Sequence, residues 1–161
     1  RFLKSSTLIR HMQNLKILNS KEKKEILNIL KKQFGFKEKL DYTLLKNEKG
    51  KLYCINNEFS SLDLSKLRIN TIGLYFARQI DNNIRLTIEG SQMIGKNASK
   101  NIVEITKDEM LDWLKGNDLN KEVISKEFII LKHKNDFLGC GKCSEGKIFN
   151  YVPKARRINL N

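Results

Sequence analysis

Apolar residues recur with two different periods along this chain, and the switch between them outlines its elements. Ile26, Leu27, Ile29, Leu30 and Phe34 share one helical face, with the KEKK and KK charges opposite. Asn19, followed three residues later by Glu22, makes a capping box with Asn in the place of Ser or Thr, and Gly35 is set to end the helix. A shorter helix is predicted over residues 7–15, opened by Ser5 or Ser6. The period then falls to two. YTLLKN and KLYCIN flank a Glu-Lys-Gly turn and predict a β-hairpin over residues 42–56. SSLDLSKL reads as a short helix capped by Ser60 or Ser61.

From Thr71 the pattern is strand-rich. TIGLYFARQI and NIRLTIEG are joined by an Asp-Asn-Asn turn, EGSQMIG reads as a strand end leading into a helical turn, and NIVEI is a short strand. Thr106 and Glu109 form a second capping box, opening a helix with Met110, Trp113 and Leu114 on one face and Gly116 at its end. EFIILKH, DFLGCGK and KIFNYV predict three final strands. There is no internal repeat and no proline-rich linker. The expected fold class is α+β. A helix-first module over residues 1–69 is followed, over residues 70–161, by a β-rich module of the size of a small barrel.

Charge changes this picture more than composition does. Apolar residues make up 40% of the chain, enough for a folded core. Lys and Arg number 31 against 18 Asp and Glu, a net charge of +13. Such an excess makes a polyanion the natural partner, because each neutralised phosphate releases counterions. The bland alternative is a solvated basic surface. No apolar run approaches the roughly 18 residues that cross a bilayer, and the first residues lack the apolar core of a signal peptide. With three cysteines in no framework spacing, the expected address is intracellular and cytoplasmic, with no membrane partner.

Candidate chemistry is mostly excluded. Neither G-x-G-x-x-G between a strand and a helix nor G-x-x-x-x-G-K-[ST] is present, so no nucleotide cofactor is expected. Cys140-x-x-Cys143 is half of a zinc site, but Cys54, His11 and His133 offer no second pair at ligand spacing; the expectation is no metal. No helix starts after Cys140 to lower its pKa, which argues against a redox pair. The two histidines suggest no triad. Glu89, beside Gly90 and Ser91, is the one carboxylate set apart from caps and surface lysines, and a structural role is expected for it ahead of a catalytic one.

Taken together, GLYFARQ, RLTIEGSQMIG, FLGCGK and NYVPKARR resemble the PUA-like RNA-binding domain of Fmu/RsmF-type rRNA cytosine-5 methyltransferases, whose stand-alone archaeal relatives are ribosome-biogenesis proteins. The resemblance covers roughly residues 72–158, and L-G-x-G-K followed by N-Y-x-P-K-x-R-R is its most specific part. The helix–hairpin–helix arrangement before it is similar to the pre-PUA modules of ribosome-assembly factors, without a shared residue motif.

The resemblance implies a pseudobarrel of about six strands that binds structured RNA, rRNA or tRNA. It places RNA contacts on Lys142, Lys147, Asn150, Tyr151, Lys154, Arg156 and Arg157. Their chemistry agrees: cations meet phosphates, Tyr offers a stacking face, and Asn reaches base edges or 2′-hydroxyls. Pro153 is expected to end the last strand and present the following cations together at one edge. Methyltransferases of this kind use a cysteine after a proline as nucleophile, whereas lysine follows the single proline here. The expected function is therefore RNA binding without catalysis, beside a separate methyltransferase or ribosome-assembly factor. Two alternatives stand beside it: a protein–protein adaptor with an incidental basic surface, and a small enzyme centred on Glu89 and Ser91. PKARR also reads as a nuclear-import signal, a pattern that short basic runs often match by chance.

Overall fold

Both capping boxes form in the computed structural model, which describes residues 15–59 and 73–159. Helix α1 (Ser20–Phe34) opens where the Asn19 side chain accepts from Glu22 N and the Glu22 carboxylate accepts from Asn19 N, each at 2.9 Å. It closes at Gly35, whose φ of 68° glycine adopts without a Cβ clash. The helices expected over residues 7–15 and 60–67 lie outside the described residues, apart from Leu15, which is not helical. No helix among the described residues is long and apolar enough to cross a membrane.

The first sheet is antiparallel throughout, in the order β1 (Lys16–Ile17), β2 (Tyr42–Lys46), β3 (Lys51–Asn56), β4 (Leu74–Ile80) and β5 (Asn83–Leu86). The strand expected to run through Gly90 stops at Leu86. Thr87 instead caps helix α2 (Ile88–Gly95), its hydroxyl oxygen accepting from Gly90 N at 3.0 Å. Gly90 lets that helix lie on β4, for a Cβ there would sit 1.8 Å from the Phe76 carbonyl oxygen.

The second sheet orders β6 (Ile102–Glu104), β8 (Phe128–His133), β9 (Asp136–Ser144), β10 (Lys147–Phe149) and β7 (Leu119–Asn120), with β6 and β8 parallel and the other pairs antiparallel. Helix α3 (Lys107–Leu114) connects β6 to β7. The last strand ends at Phe149, not at Pro153, because Asn150 turns the chain with its own side chain. β1 and β7 were not expected; two residues are too short to show a period.

Strands β8 and β9 are buried on both faces. Phe128, Ile130, Phe137 and Cys140 join the main core with Ile26, Leu30 and Phe34 of α1 and with Leu44, Leu52, Phe76 and Ile84 of the first sheet. Ile129, Leu131 and Leu138 face a second core under α3, around the fully buried Trp113. Strict alternation would put Phe137 and Cys140 on opposite faces. A one-residue bulge removes the conflict: Ile130 pairs with Cys140 and Lys132 with Phe137, so two steps on β8 meet three on β9. Gly139, at φ 89°, is the residue that takes the left-handed turn.

The division expected at residues 69/70 meets a continuous structure. β3 and β4 lie on either side of it and are hydrogen-bonded neighbours, with Leu52 opposite Ala77. The buried Gln33 of α1 donates to Ile84 O (2.8 Å) and Phe128 O (3.3 Å) and accepts from Ile84 N (2.8 Å). One side chain thus ties α1 to the edge strand β5 of the first sheet and to β8 of the second. β4 and β5, counted with the second module, complete the sheet of the first, and five described strands remain in the second.

Candidate nucleic-acid interface

The chain after β10 is shaped by Asn150. Its amide nitrogen donates to Trp113 O (2.7 Å) and Asn117 O (2.9 Å), and its amide oxygen accepts from Val152 N (2.7 Å). The backbone N–H of Asn150 reaches the Asp118 carboxylate at 2.8 Å. These bonds clamp the tail to the end of α3, bury Val152 in the second core and turn Tyr151 outward. Pro153 then opens a single 3₁₀ turn, Lys154–Arg156.

A cleft of about 290 Å³ opens beneath this tail. Tyr151, Val152, Pro153 and Arg156 form one wall; Arg85, Leu86, Thr87, Ile88 and Glu89 form the other; Leu74 and Tyr75 flank it, Trp113 contributes from α3, and Leu138, Gly139 and Cys140 from β9. The Arg85 guanidinium covers one face of the Tyr151 ring at 4.4 Å from its centroid, and the Phe128 ring meets Tyr151 edge-on at 5.8 Å. Tyr151 nevertheless remains 41% exposed. Arg156 pairs with the Glu89 carboxylate across the mouth. Partial burial opposes ionisation of Glu89, but Arg156, together with the Glu89 backbone and Thr87, outweighs it and holds the carboxyl below its usual value, so the group is charged at neutral pH.

The seven residues singled out in the sequence divide in two. Lys154 is exposed, as is Lys147 on β10; Lys142 donates to Lys126 O at 2.7 Å with its ammonium 4.9 Å from the Phe128 ring centroid. Tyr151 and Arg156 line the cleft. Asn150 is committed to the scaffold and has no amide hydrogen left for a base edge. Arg157 donates from Nε to Val152 O at 3.1 Å and packs along Gly116, where a Cβ would sit 2.3 Å from Nε. The three tail cations therefore do not protrude together: Lys154 projects, Arg156 bridges and Arg157 is tucked in.

Arg85, Tyr75 and Trp113 line the cleft and were not among the residues singled out in the sequence. Arg85 alternates with the buried Ile84 and Leu86, and such a position reads only as solvent-facing. Glu89 was noticed, but it sits in the first turn of α2 instead of ending a strand. Ser91 is fully buried, its hydroxyl donating to Ile88 O (2.7 Å) and accepting from Gly139 N (2.9 Å), so it supports the bulge.

Of the two β9 cysteines, Cys140 lines the cleft and Cys143 does not, and they form no pair. Spacing of i, i+3 sends them to opposite faces of β9, Cys140 into the main core and Cys143 against the second. Cys140 Sγ accepts from Leu86 N at 3.4 Å, and burial pushes its thiol up to about 12. Among the described residues, no three His, Cys, Asp or Glu side chains converge as a metal would require.

Residues 100–158 match the family model described as the methyltransferase RsmF PUA domain. The match begins just before β6 and ends beyond the 3₁₀ turn, so it coincides with the second sheet and the tail. The chain is 25% identical over 91 residues to the ribosomal RNA small subunit methyltransferase F of Vibrio vulnificus (strain YJ016), covering 56% of this chain and 19% of that protein. It is 24% identical over 97 residues to the protein of the same name from Vibrio parahaemolyticus serotype O3:K6, covering 56% and 20%. The chain thus spans about a fifth of the length of these curated relatives.

Proposed function

We propose that this chain is a non-catalytic RNA-binding module, with ribosomal RNA as its ligand class. The observation that carries the reading is the joining of a stackable ring to fixed cations: Tyr151 is exposed at the cleft, with Arg85 and Arg156 beside it and Lys142, Lys147 and Lys154 on the same tail and adjoining strands. Phosphates supply most of the affinity of such a surface, and the ring and cleft hold an unstacked base. The names of the similar Vibrio proteins support rRNA as the target. The family model matched is that of a PUA domain, which supports a module that delivers RNA to other protein elements that carry out methyl transfer.

Fluorescence anisotropy with structured rRNA fragments at several salt concentrations tests this. Replacing Lys142, Lys147 and Lys154 together with alanine should reduce the magnitude of the log–log salt slope by roughly 0.7–0.9 for each phosphate no longer neutralised. Thermal melts should change little, since exposed substitutions usually stay within about 0.5 kcal/mol. A folded triple variant that binds with wild-type affinity and slope would refute the assignment of this face to RNA.

A further inference from the structure

The cleft beneath the tail carries one group that a phosphate-binding surface does not need, the carboxylate of Glu89. It lines the cavity from the first turn of α2, opposite the Tyr151 wall. A negative charge beside an RNA backbone weakens the electrostatic attraction that the surrounding cations provide. Its position is therefore informative about what enters between those cations.

Resting on the RNA-binding reading, we propose that this cleft receives a single unstacked guanine base and that Glu89 reads its Watson–Crick edge. An ionised carboxylate only accepts hydrogen bonds. Guanine presents two adjacent donors on that edge, N1–H and the N2 amino group, which match the two carboxylate oxygens side by side. Adenine and cytosine each offer an amino donor next to an unprotonated ring nitrogen, whose lone pair would face the second oxygen. Uracil has one N–H between two carbonyl groups. Guanine alone pairs with the carboxylate without leaving an acceptor against an acceptor.

Size and surroundings agree. About 290 Å³ lies at the lower end of the roughly 300–1,000 Å³ of small-molecule pockets, enough for a base and too little for a dinucleotide. Tyr151 and Arg85, already stacked on each other, provide planar surfaces for a base, and Leu74 and Ile88 provide apolar contact. Arg156 reaches Glu89 through Oε1, the Glu89 backbone and Thr87 also interact with the carboxylate, and the base would take the lone pairs these groups do not occupy. The same guanidinium keeps the carboxylate ionised and neutralises its charge toward the flanking phosphates.

The test uses the full chain and three labelled pentanucleotides, UUGUU, UUAUU and UUIUU, in which inosine keeps N1–H but lacks the N2 amino group. Wild-type protein should bind UUGUU about tenfold or more tighter than UUAUU, as expected for a bidentate base contact, with UUIUU in between. Glu89→Gln should bring UUGUU down to the level of UUAUU, because the amide replaces one acceptor with a donor. Arg156→Ala removes the same ion pair but keeps the carboxylate. It should lower affinity for all three and retain the preference, which separates base reading from any effect of losing the pair on folding.

Equal binding of UUGUU and UUAUU by the wild type, or a preference that survives in folded Glu89→Gln, would overturn guanine reading while the RNA surface stood. Failure to bind any pentanucleotide while rRNA fragments bind would do the same. If the rRNA fragments also fail to bind, the RNA reading falls and takes this inference with it.

Discussion

Helix α1 and the tail after β10 are both rich in cations, yet they hold them in opposite ways. On α1, Lys21, Lys24, Lys31 and Lys32 stand on the outer face, with Lys23 alone drawn in to bond the carbonyls of Leu40 (2.6 Å) and Tyr42 (2.7 Å). Around the tail, Arg85 lies on a ring, Arg156 on a carboxylate and Arg157 on a carbonyl oxygen. Residues 1–69 even hold the slightly larger share of Lys and Arg, 16 of 31. Charge density therefore does not locate the site. What distinguishes the tail is that its guanidiniums are pre-positioned around a concavity, so less side-chain freedom is lost when a ligand arrives.

The strongest way to break this contrast is to separate the regions. A fragment of residues 70–161 lacks α1, β2 and β3, removing Ile26, Leu30, Phe34, Leu44 and Leu52 from the main core and exposing the edge of β4. It should show no cooperative thermal transition, by circular dichroism or calorimetry. A sharp melt close to that of the full chain would restore two independent modules.

Asn150→Ala comes next. It leaves the carbonyls of Trp113 and Asn117 and the N–H of Val152 without the partner they now have. A drop of roughly 2–4 kcal/mol in denaturant unfolding is expected, together with weakened RNA binding. The counterpart on the other region, Asn28→Ala at an exposed α1 position, should move stability by less than about 0.5 kcal/mol. Comparable effects would mean that the tail is no better organised than the helix surface.

Tyr151→Ala sharpens the comparison at the ring. Removing the stacking surface should cost roughly 1–3 kcal/mol of RNA affinity with little change in salt slope. A change in slope with no weakening at high salt would instead assign the residue to electrostatics. The smallest effect concerns Glu89. Its carboxyl is depressed in the folded chain, so the Arg156 pairing stabilises the fold fully above the unfolded value of about 4.3. That contribution fades as pH falls through the lower folded value. Between these limits the wild type should lose slightly more stability than Glu89→Gln; parallel acid melts would show that the pair contributes nothing.

Much of the fold was legible because local signals and burial agreed. Both capping boxes, the hairpin and the Trp113 helix rest on interactions within a few residues. What failed depended on distant partners. Thr87 and Ile88 have strand-like composition, yet the Phe76 backbone and Gly90 make the following turn a helix. Gln33 has no sequence pattern that marks it as the tie between two sheets. At the site, cations and the ring could be named but not sorted. NYVPKARR does not tell which of its polar groups are consumed by the fold, and nothing in it sets Asn150 and Arg157, which bond the backbone, apart from the exposed Lys154.

The bulge at Gly139 also constrains how this strand can change in length. β9 carries two reading phases, one on each side of that glycine, and deleting it would merge them. Cys140, now in the main core, would rotate to the opposite face, and Lys142 would swing with it away from Phe128. Natural or engineered length variation should therefore avoid the middle of β9 and accumulate at the β9–β10 turn, where a Cβ on Gly146 would meet nothing within 4 Å. A one-residue deletion at Gly139 and a one-residue insertion beside Gly146 are the same size on paper; only the second leaves the phase of every buried residue intact.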